Sequence, residues 1–163
     1  MKMMRTALQV SIRSATAAGL AVAIAQLLGL GSPLYALIAA ILVTDLSPAR
    51  TRHLAVPRLA GTVLGAALGA VISPLGAIHS IGAIMIGAAV FTTVFTSHLL
   101  GVKDAAKVAG YVCGVVLLTH SDRPWSYAWY RVLETCLGIA AGVFVSLVPK
   151  LMTADELKES AKG

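Results

Sequence analysis

The sequence predicts an all-α protein, a polytopic membrane bundle of six transmembrane helices. Hydrophobic residues make up 58% of the 163 residues and charged residues 12%, whereas soluble domains have about 45–50% and about 25%. Asp, Glu, Lys and Arg are absent from two windows, residues 14–44 and 59–102, and each window has room for two spans of roughly 20 residues. Turn residues divide both windows, at Gly29–Pro33 and at Ser73–Gly76.

These breaks and two further apolar runs place the six helices. Ser followed by Pro is a common helix start, because Ser caps the helix and Pro fits its first position. The pair Ser32–Pro33 therefore begins the second helix, and Ser73–Pro74 separates the third from the fourth. The apolar runs 108–121 and 135–149 supply the last two. The predicted helices span about residues 12–30, 33–47, 56–73, 78–100, 104–120 and 126–149.

The basic amino terminus resembles the charged start of a signal peptide. The apolar run at 15–30 is long for such a peptide, no clear cleavage site follows it, and more spans come after it. We therefore expect the first span to be retained. Residues 1–150 are predicted to form one transmembrane domain, and residues 151–163 a short polar cytoplasmic tail.

The positions of the positive residues predict the orientation. With six helices and an internal amino terminus, all but Arg123 and Arg131 of the 13 Lys and Arg residues fall on the cytoplasmic side. This positive-inside bias predicts a multi-pass protein of the inner (plasma) membrane with both termini cytoplasmic. It also accounts for the net charge of +6 without a nucleic-acid partner. The cytoplasmic residues are Lys2, Arg5, Arg13, Arg50, Arg52, Arg58, Lys103, Lys107, Lys150, Lys158 and Lys162.

Four aromatic residues lie close together before and at the start of the sixth helix, between Trp125 and Tyr130. Aromatic side chains beside arginines can stack on nucleic-acid bases. In a chain this apolar, the pattern favours an aromatic belt at the membrane interface.

An internal repeat relates the third helix to the sixth. Residues 58–73 align with residues 131–146 at an offset of 131 − 58 = 73. The first and fourth helices also end alike, in Gln26–Gly29 and His98–Gly101. The matched pairs are Arg58 and Arg131, Thr62 and Thr135, Gly65 and Gly138, Gly69 and Gly142, and Ser73 and Ser146.

The repeat predicts two copies of a three-helix unit, at about residues 12–74 and 78–149. Because three is odd, the second copy enters the membrane from the opposite side, which makes the repeat an inverted one. Glycines recur every four residues in both copies, and we expect them to bring two helix backbones close together. These helix-packing glycines are Gly61, Gly65, Gly69, Gly138 and Gly142.

Arg58 and Arg131 are the most informative candidate site residues. Each lies near the start of an apolar helix, where a guanidinium must pair, reach the interface or face water. Interface anchoring is one reading. Symmetric placement favours a second, in which the two arginines are separate electrostatic stations for an anion, one toward each side of the membrane.

Three further polar residues are candidates for the substrate path. Glu134 lies one turn after Arg131, where it either compensates that charge or responds to protons beside the path. Thr44 and Thr119 close the short second and fifth helices, which occupy matching places in the two halves. Their hydroxyls either donate to an anion or bond back to their own helix.

Enzymatic signatures are missing from the sequence. It contains no His-Glu-x-x-His, Gly-x-Ser-x-Gly, Cys-x-x-Cys or Walker A motif. Cys113 and Cys136 lie in apolar runs and are interpreted as buried hydrophobic residues. We predict no enzyme, no metal site and no cofactor.

Two motifs resemble the fusaric acid resistance and aromatic acid exporter superfamily, which is related to the aluminium-activated malate channels. They are Arg58-x-x-Gly61-Thr62-x-x-Gly65-x-x-x-Gly69 and Arg131-x-x-x-Thr135-x-x-Gly138-x-x-x-Gly142. The resemblance covers roughly residues 10–150, in a transmembrane-only version. It implies a six-helix membrane unit that handles organic anions, mostly carboxylates.

The resemblance also implies that Arg58 and Arg131 contact the anion, with Thr62 and Thr135 one turn further on. The function we expect is a transporter or channel for small organic anions, aromatic or other carboxylates, that works in efflux. The expected partners are the lipid bilayer, these anions and a second copy in a homodimer. The alternative is a membrane scaffold or accessory subunit that transports nothing.

Overall fold

The computed structural model describes residues 2–78, 82–119 and 123–148. These residues form six α-helices, which confirms the predicted all-α fold. The expected tail at 151–163 lies outside the described residues. A short 3₁₀ turn, Lys103–Ala105, precedes the fifth helix. The helices are α1 (Lys2–Leu27), α2 (Pro33–Val43), α3 (Pro48–Ile78), α4 (Ala83–Leu99), α5 (Ala106–Thr119) and α6 (Pro124–Leu147).

Within the described parts of the chain, three helices contain a segment long and apolar enough to cross a membrane. These segments are Thr6–Leu27 in α1, Pro48–Leu75 in α3 and Pro124–Leu147 in α6. The helices α2, α4 and α5 have 11, 17 and 14 residues. At about 1.5 Å of rise per residue, α2 and α5 are clearly shorter than a hydrocarbon core of about 30 Å. Their shortness was expected from the sequence.

Several helix boundaries differ from the sequence prediction; for example, α2 ends at Val43 instead of residue 47, and α3 begins at Pro48 instead of residue 56. The first helix begins at Lys2 instead of residue 12, because residues 2–11 are mostly good helix formers that extend it. The third helix runs through both Pro57 and Pro74, so Ser73–Pro74 does not end it. A proline inside a helix costs a backbone hydrogen bond, but α3 packs along two other helices, and tertiary packing supplies most helix stability.

The first and fourth helices end in the same backbone geometry. Gly29 and Gly101 both have positive φ, at 64° and 77°, a conformation that glycine adopts without strain. The Leu30 amide donates to Ala25 O at 2.9 Å, and the Val102 amide donates to Ser97 O at 3.0 Å. Both ends are therefore Schellman motifs, and the matching Leu-Leu-Gly sequences fold alike.

Corresponding helices of the two halves make corresponding contacts. The long helix α3 packs most extensively on α5, and α6 packs on α2. Likewise α1 packs on α2, and α4 packs on α5. Each half therefore contributes its third helix to the other half's second helix.

Glycines lie at both of the exchanged contacts. A Cβ atom placed on Gly65 would lie 2.8 Å from Ala109 Cα, and one placed on Gly138 would lie 2.9 Å from Ala40 N. Gly61 and Gly69 face α5 as well, and Gly142 faces the end of α2. The absence of these side chains allows the helix backbones to approach each other closely. This approach brings the polar residues of α3 and α6 to the centre of the bundle.

Candidate functional site

Two arginines converge on one tyrosine ring inside the bundle. Arg58 on α3 is 4% exposed and Arg131 on α6 is 1% exposed. The guanidinium carbon of Arg58 lies 5.3 Å from the centroid of the Tyr111 ring, and that of Arg131 lies 5.9 Å from the same centroid. The two carbons are therefore at most 5.3 + 5.9 = 11.2 Å apart.

This geometry corrects one expectation for the arginines. Neither guanidinium reaches the exposed surface of the bundle as an interface anchor, because both side chains are buried. Both guanidiniums lie at the same ring, Tyr111. The reason is the exchanged packing: α3 and α6 lie against each other, so each arginine points into the contact between the halves.

Two further tyrosines surround Arg131. Its guanidinium carbon lies 3.1 Å from the centroid of the Tyr35 ring. Tyr127 meets Tyr35 edge to face, with the ring centroids 6.3 Å apart and an interplanar angle of 80°. An aromatic face attracts a cation through its quadrupole, and the attraction grows when water is excluded. The tyrosines thus stabilise a buried charge without neutralising it.

Several donors at this site have no protein partner. Within the described part of the chain, Arg58 Nε and Nη2, Arg131 Nε and Nη1, and Thr135 Oγ1 are buried without a hydrogen bond. Buried polar groups are nearly always paired, because an unpaired one costs about 1–3 kcal/mol. Guanidinium donors in a planar fork match the two oxygens of a carboxylate. The arrangement is therefore chemically suited to holding an organic anion.

Glu134 does not pair with Arg131 as the sequence suggested. Its Oε1 accepts a hydrogen bond of 2.8 Å from the Ser32 amide, and its side chain is 1% exposed. Among the described residues, the ion pair within 4 Å joins Arg50 to Asp45 instead. Ser32 is the N-cap of α2, and a carboxylate at a helix N-terminus is favoured by the helix dipole. The side chain therefore links α6 to the start of α2, while it still interacts electrostatically with Arg131.

Three of the candidate threonines bond back to their own helices. Thr62 Oγ1 donates to Arg58 O at 2.9 Å, Thr44 Oγ1 to Ala40 O at 2.7 Å, and Thr119 Oγ1 to Val115 O at 2.8 Å. Of the two readings of Thr44 and Thr119, the structure shows this one. Thr135 differs from these three threonines. Its hydroxyl, one turn after Arg131 on α6, has no hydrogen-bond partner.

Sequence reasoning missed the contribution of Tyr35 and Tyr111 to the site. A signal was present, because each is the one aromatic residue of a short, mainly aliphatic helix. Tyr127 was noted in the sequence as part of an interfacial belt. It is buried, at 8% exposed, whereas its neighbours Trp125 and Trp129 are exposed.

No group of three or more metal-ligating side chains occurs among the residues that the structure describes. Both cysteines are free, with Cys113 buried and Cys136 exposed. The expectation that Cys136 is a buried hydrophobic residue is therefore wrong, because it lies on the outer face of α6.

Comparison with known families gives one match, over residues 20–145, to the family described as fusaric acid resistance protein-like. The matched segment contains both arginines, the three tyrosines and all five packing glycines. No curated protein and no solved structure matches the chain.

Proposed function

The chain belongs to the fusaric acid resistance protein-like family, a family of membrane transporters of small organic compounds, and from this premise we propose that it exports small organic anions. The substrate class is aromatic or other carboxylates. The binding site consists of Arg58, Arg131 and the rings that contact them.

One observation carries this proposal: two buried guanidiniums share Tyr111 and keep unpartnered N–H groups. A scaffold protein gains nothing from two like charges held at most 11.2 Å apart in the bundle, since each is costly to bury. A carboxylate between them would satisfy the donors and offset the repulsion. Cations would be repelled from the same place.

The architecture supports an inverted repeat as part of the proposal. The exchanged contacts of α3 with α5 and of α6 with α2, and the equal Schellman ends at Gly29 and Gly101, are what a two-fold relation between the halves would produce. With the charge bias of the sequence, we place the protein in the inner membrane with both termini cytoplasmic. We propose a homodimer as its assembly.

Flux of a labelled aromatic carboxylate tests the function. Benzoate efflux is measured from proteoliposomes that contain only this protein, with benzamide as the uncharged analogue of equal shape. We expect protein-dependent benzoate efflux and no protein-dependent benzamide efflux. Empty liposomes and the double variant Arg58→Ala/Arg131→Ala give the background. Benzoate efflux equal to that of the double variant would contradict transport and favour the scaffold.

A further inference from the structure

Two cavities flank the arginine site, at positions that match in the two halves. The first cavity has a volume of about 290 Å³ and lies between the turn after α1 and the start of α6. The second has about 380 Å³ and lies between the turn after α4 and the first part of α3. The first is lined by Gly31, Ser32, Arg123, Ser126, Tyr127, Tyr130 and Glu134. The second is lined by His53, Val56, Pro57, Ala60 and residues 101–105.

The linings correspond under the internal repeat. At the offset of 73, His53 corresponds to Ser126 and Pro57 to Tyr130. The turns that close the cavities follow the two Schellman glycines. Two cavities formed by equivalent segments would lie toward opposite membrane sides if the halves are inverted.

Each cavity is lined by residues of the helix that carries one of the arginines, although neither arginine lines a cavity itself. Pro57 in the second cavity directly precedes Arg58, and Glu134 in the first cavity is one turn from Arg131. Each cavity also carries one positive and one negative residue at its wall, Arg123 with Glu134 in the first and Lys103 with Asp104 in the second. The cation at each wall can pair with the carboxylate of an entering anion.

Different contacts separate the two cavities from the arginines. In the first cavity, Glu134 Oε1 accepts a hydrogen bond of 2.8 Å from the Ser32 amide. In the second cavity, Gly61 occupies the repeat position of Glu134. Here α3 packs directly on the start of α5, since a Cβ atom on Gly61 would lie 2.6 Å from Ala105 O. Both arginines are consequently buried.

We propose that the two cavities are the two mouths of one anion path, which meets at Arg58 and Arg131 and is closed on both sides in this structure. This inference rests on the proposed function. The first mouth opens by parting Glu134 from Ser32, and the second by parting α3 from the start of α5. An anion enters at one cation, Lys103 or Arg123, and leaves past the other.

Cysteine accessibility tests the proposal. Ala60→Cys and Ser126→Cys are introduced one at a time where Cys113 and Cys136 have been replaced by alanine. The proteoliposomes are treated with a membrane-impermeant, negatively charged methanethiosulfonate, added inside or outside. We expect each cysteine to react from one side, the two from opposite sides, and each modification to abolish benzoate flux.

Val63→Cys and Leu133→Cys are the matched controls. Both residues lie on the same two helices and are exposed on the bundle, at 44% and 36%, but line neither cavity. In lipid they should not react with an impermeant reagent.

The outcomes separate the two proposals. An inactive parent protein overturns the proposed function, and this inference with it. An active parent whose Ala60→Cys and Ser126→Cys variants react like the controls, react from the same side, or keep full flux after modification overturns the inference alone.

Discussion

The guanidinium carbon of Arg131 lies 3.1 Å from the centroid of the Tyr35 ring. This contact joins α6 of the second half to α2 of the first. Arg58 has no equally close ring, since its guanidinium carbon lies 5.3 Å from the Tyr111 centroid. The site is thus asymmetric: the guanidinium of Arg131 lies close over one ring, and that of Arg58 lies further from its nearest ring.

Replacing either arginine should cut carboxylate flux. A hydrogen bond to a charged group contributes about 1.5–3 kcal/mol, so Arg58→Ala and Arg131→Ala should each weaken benzoate binding about tenfold to a hundredfold. Lysine at position 131 keeps the charge but loses the planar guanidinium that lies over Tyr35, and should restore flux only in part. Flux per folded molecule, with folding checked by detergent melting, is the measurement. Alanine variants as active as the parent would show that the arginines serve the structure alone.

Tyr111 should matter through its ring and not through its hydroxyl. Tyr111→Phe keeps the aromatic face toward both guanidiniums and should leave flux within about twofold of the parent. Tyr111→Leu removes the quadrupole that stabilises the two cations, at a cost of about 0.5–2 kcal/mol, and should lower both melting temperature and flux. A Phe variant as impaired as the Leu variant would mean that the hydroxyl is the important group.

Alanine at a glycine in the helix contact should destabilise the protein, whereas alanine at a glycine with no atoms near its Cβ position should not. Gly65→Ala places a methyl group 2.8 Å from Ala109 Cα and should destabilise the protein by about 1–3 kcal/mol. Gly87 on α4 has no atom within 4 Å of such a methyl. Gly87→Ala should be neutral or stabilising by about 0.5–1 kcal/mol, because alanine favours the helix. Melting in detergent compares the two, and equal shifts would argue against close packing at Gly65.

Removing the acceptor at position 134 should release the start of α2. Glu134→Ala leaves the Ser32 amide without its 2.8 Å partner and should cost about 1–3 kcal/mol. Glu134→Gln keeps an acceptor oxygen at that place, and should cost less. Hydrogen exchange at the first turn of α2 reads the difference directly. If both variants protect this turn as well as the parent does, the Glu134 bond does not hold α2.

The proposed orientation places position 52 in the cytoplasm and position 125 outside. Arg52→Cys and Trp125→Cys, each in a protein without Cys113 and Cys136, should be labelled by an impermeant thiol reagent from opposite sides of intact cells and inverted vesicles. The reason is that nearly all the positive residues fall on one side of the predicted topology. Labelling of position 52 from outside would show that the topology is the reverse of the one proposed.

The sequence by itself determined the helix number, the membrane class and the short second and fifth helices. Charge-free windows and turn residues are local features of a chain, and the lipid environment forces such segments into helices. The shared Leu-Leu-Gly ends and the glycine spacing are also local, so their consequences followed from the sequence. Pro74 inside α3 was misread as a boundary, because packing against α5 and α6 outweighs a lost backbone hydrogen bond.

Only the tertiary structure decided how the halves combine. Spacing along one helix suggested that Glu134 pairs with Arg131, but the carboxylate bonds instead to Ser32, more than a hundred residues away in the chain. It also suggested that the two arginines lie toward opposite sides of the membrane. The exchange of α3 and α6 between the halves brings both of them to one tyrosine ring. Contacts between distant segments depend on which helix faces fit together. That choice is made by close packing across the whole bundle, which no single segment contains.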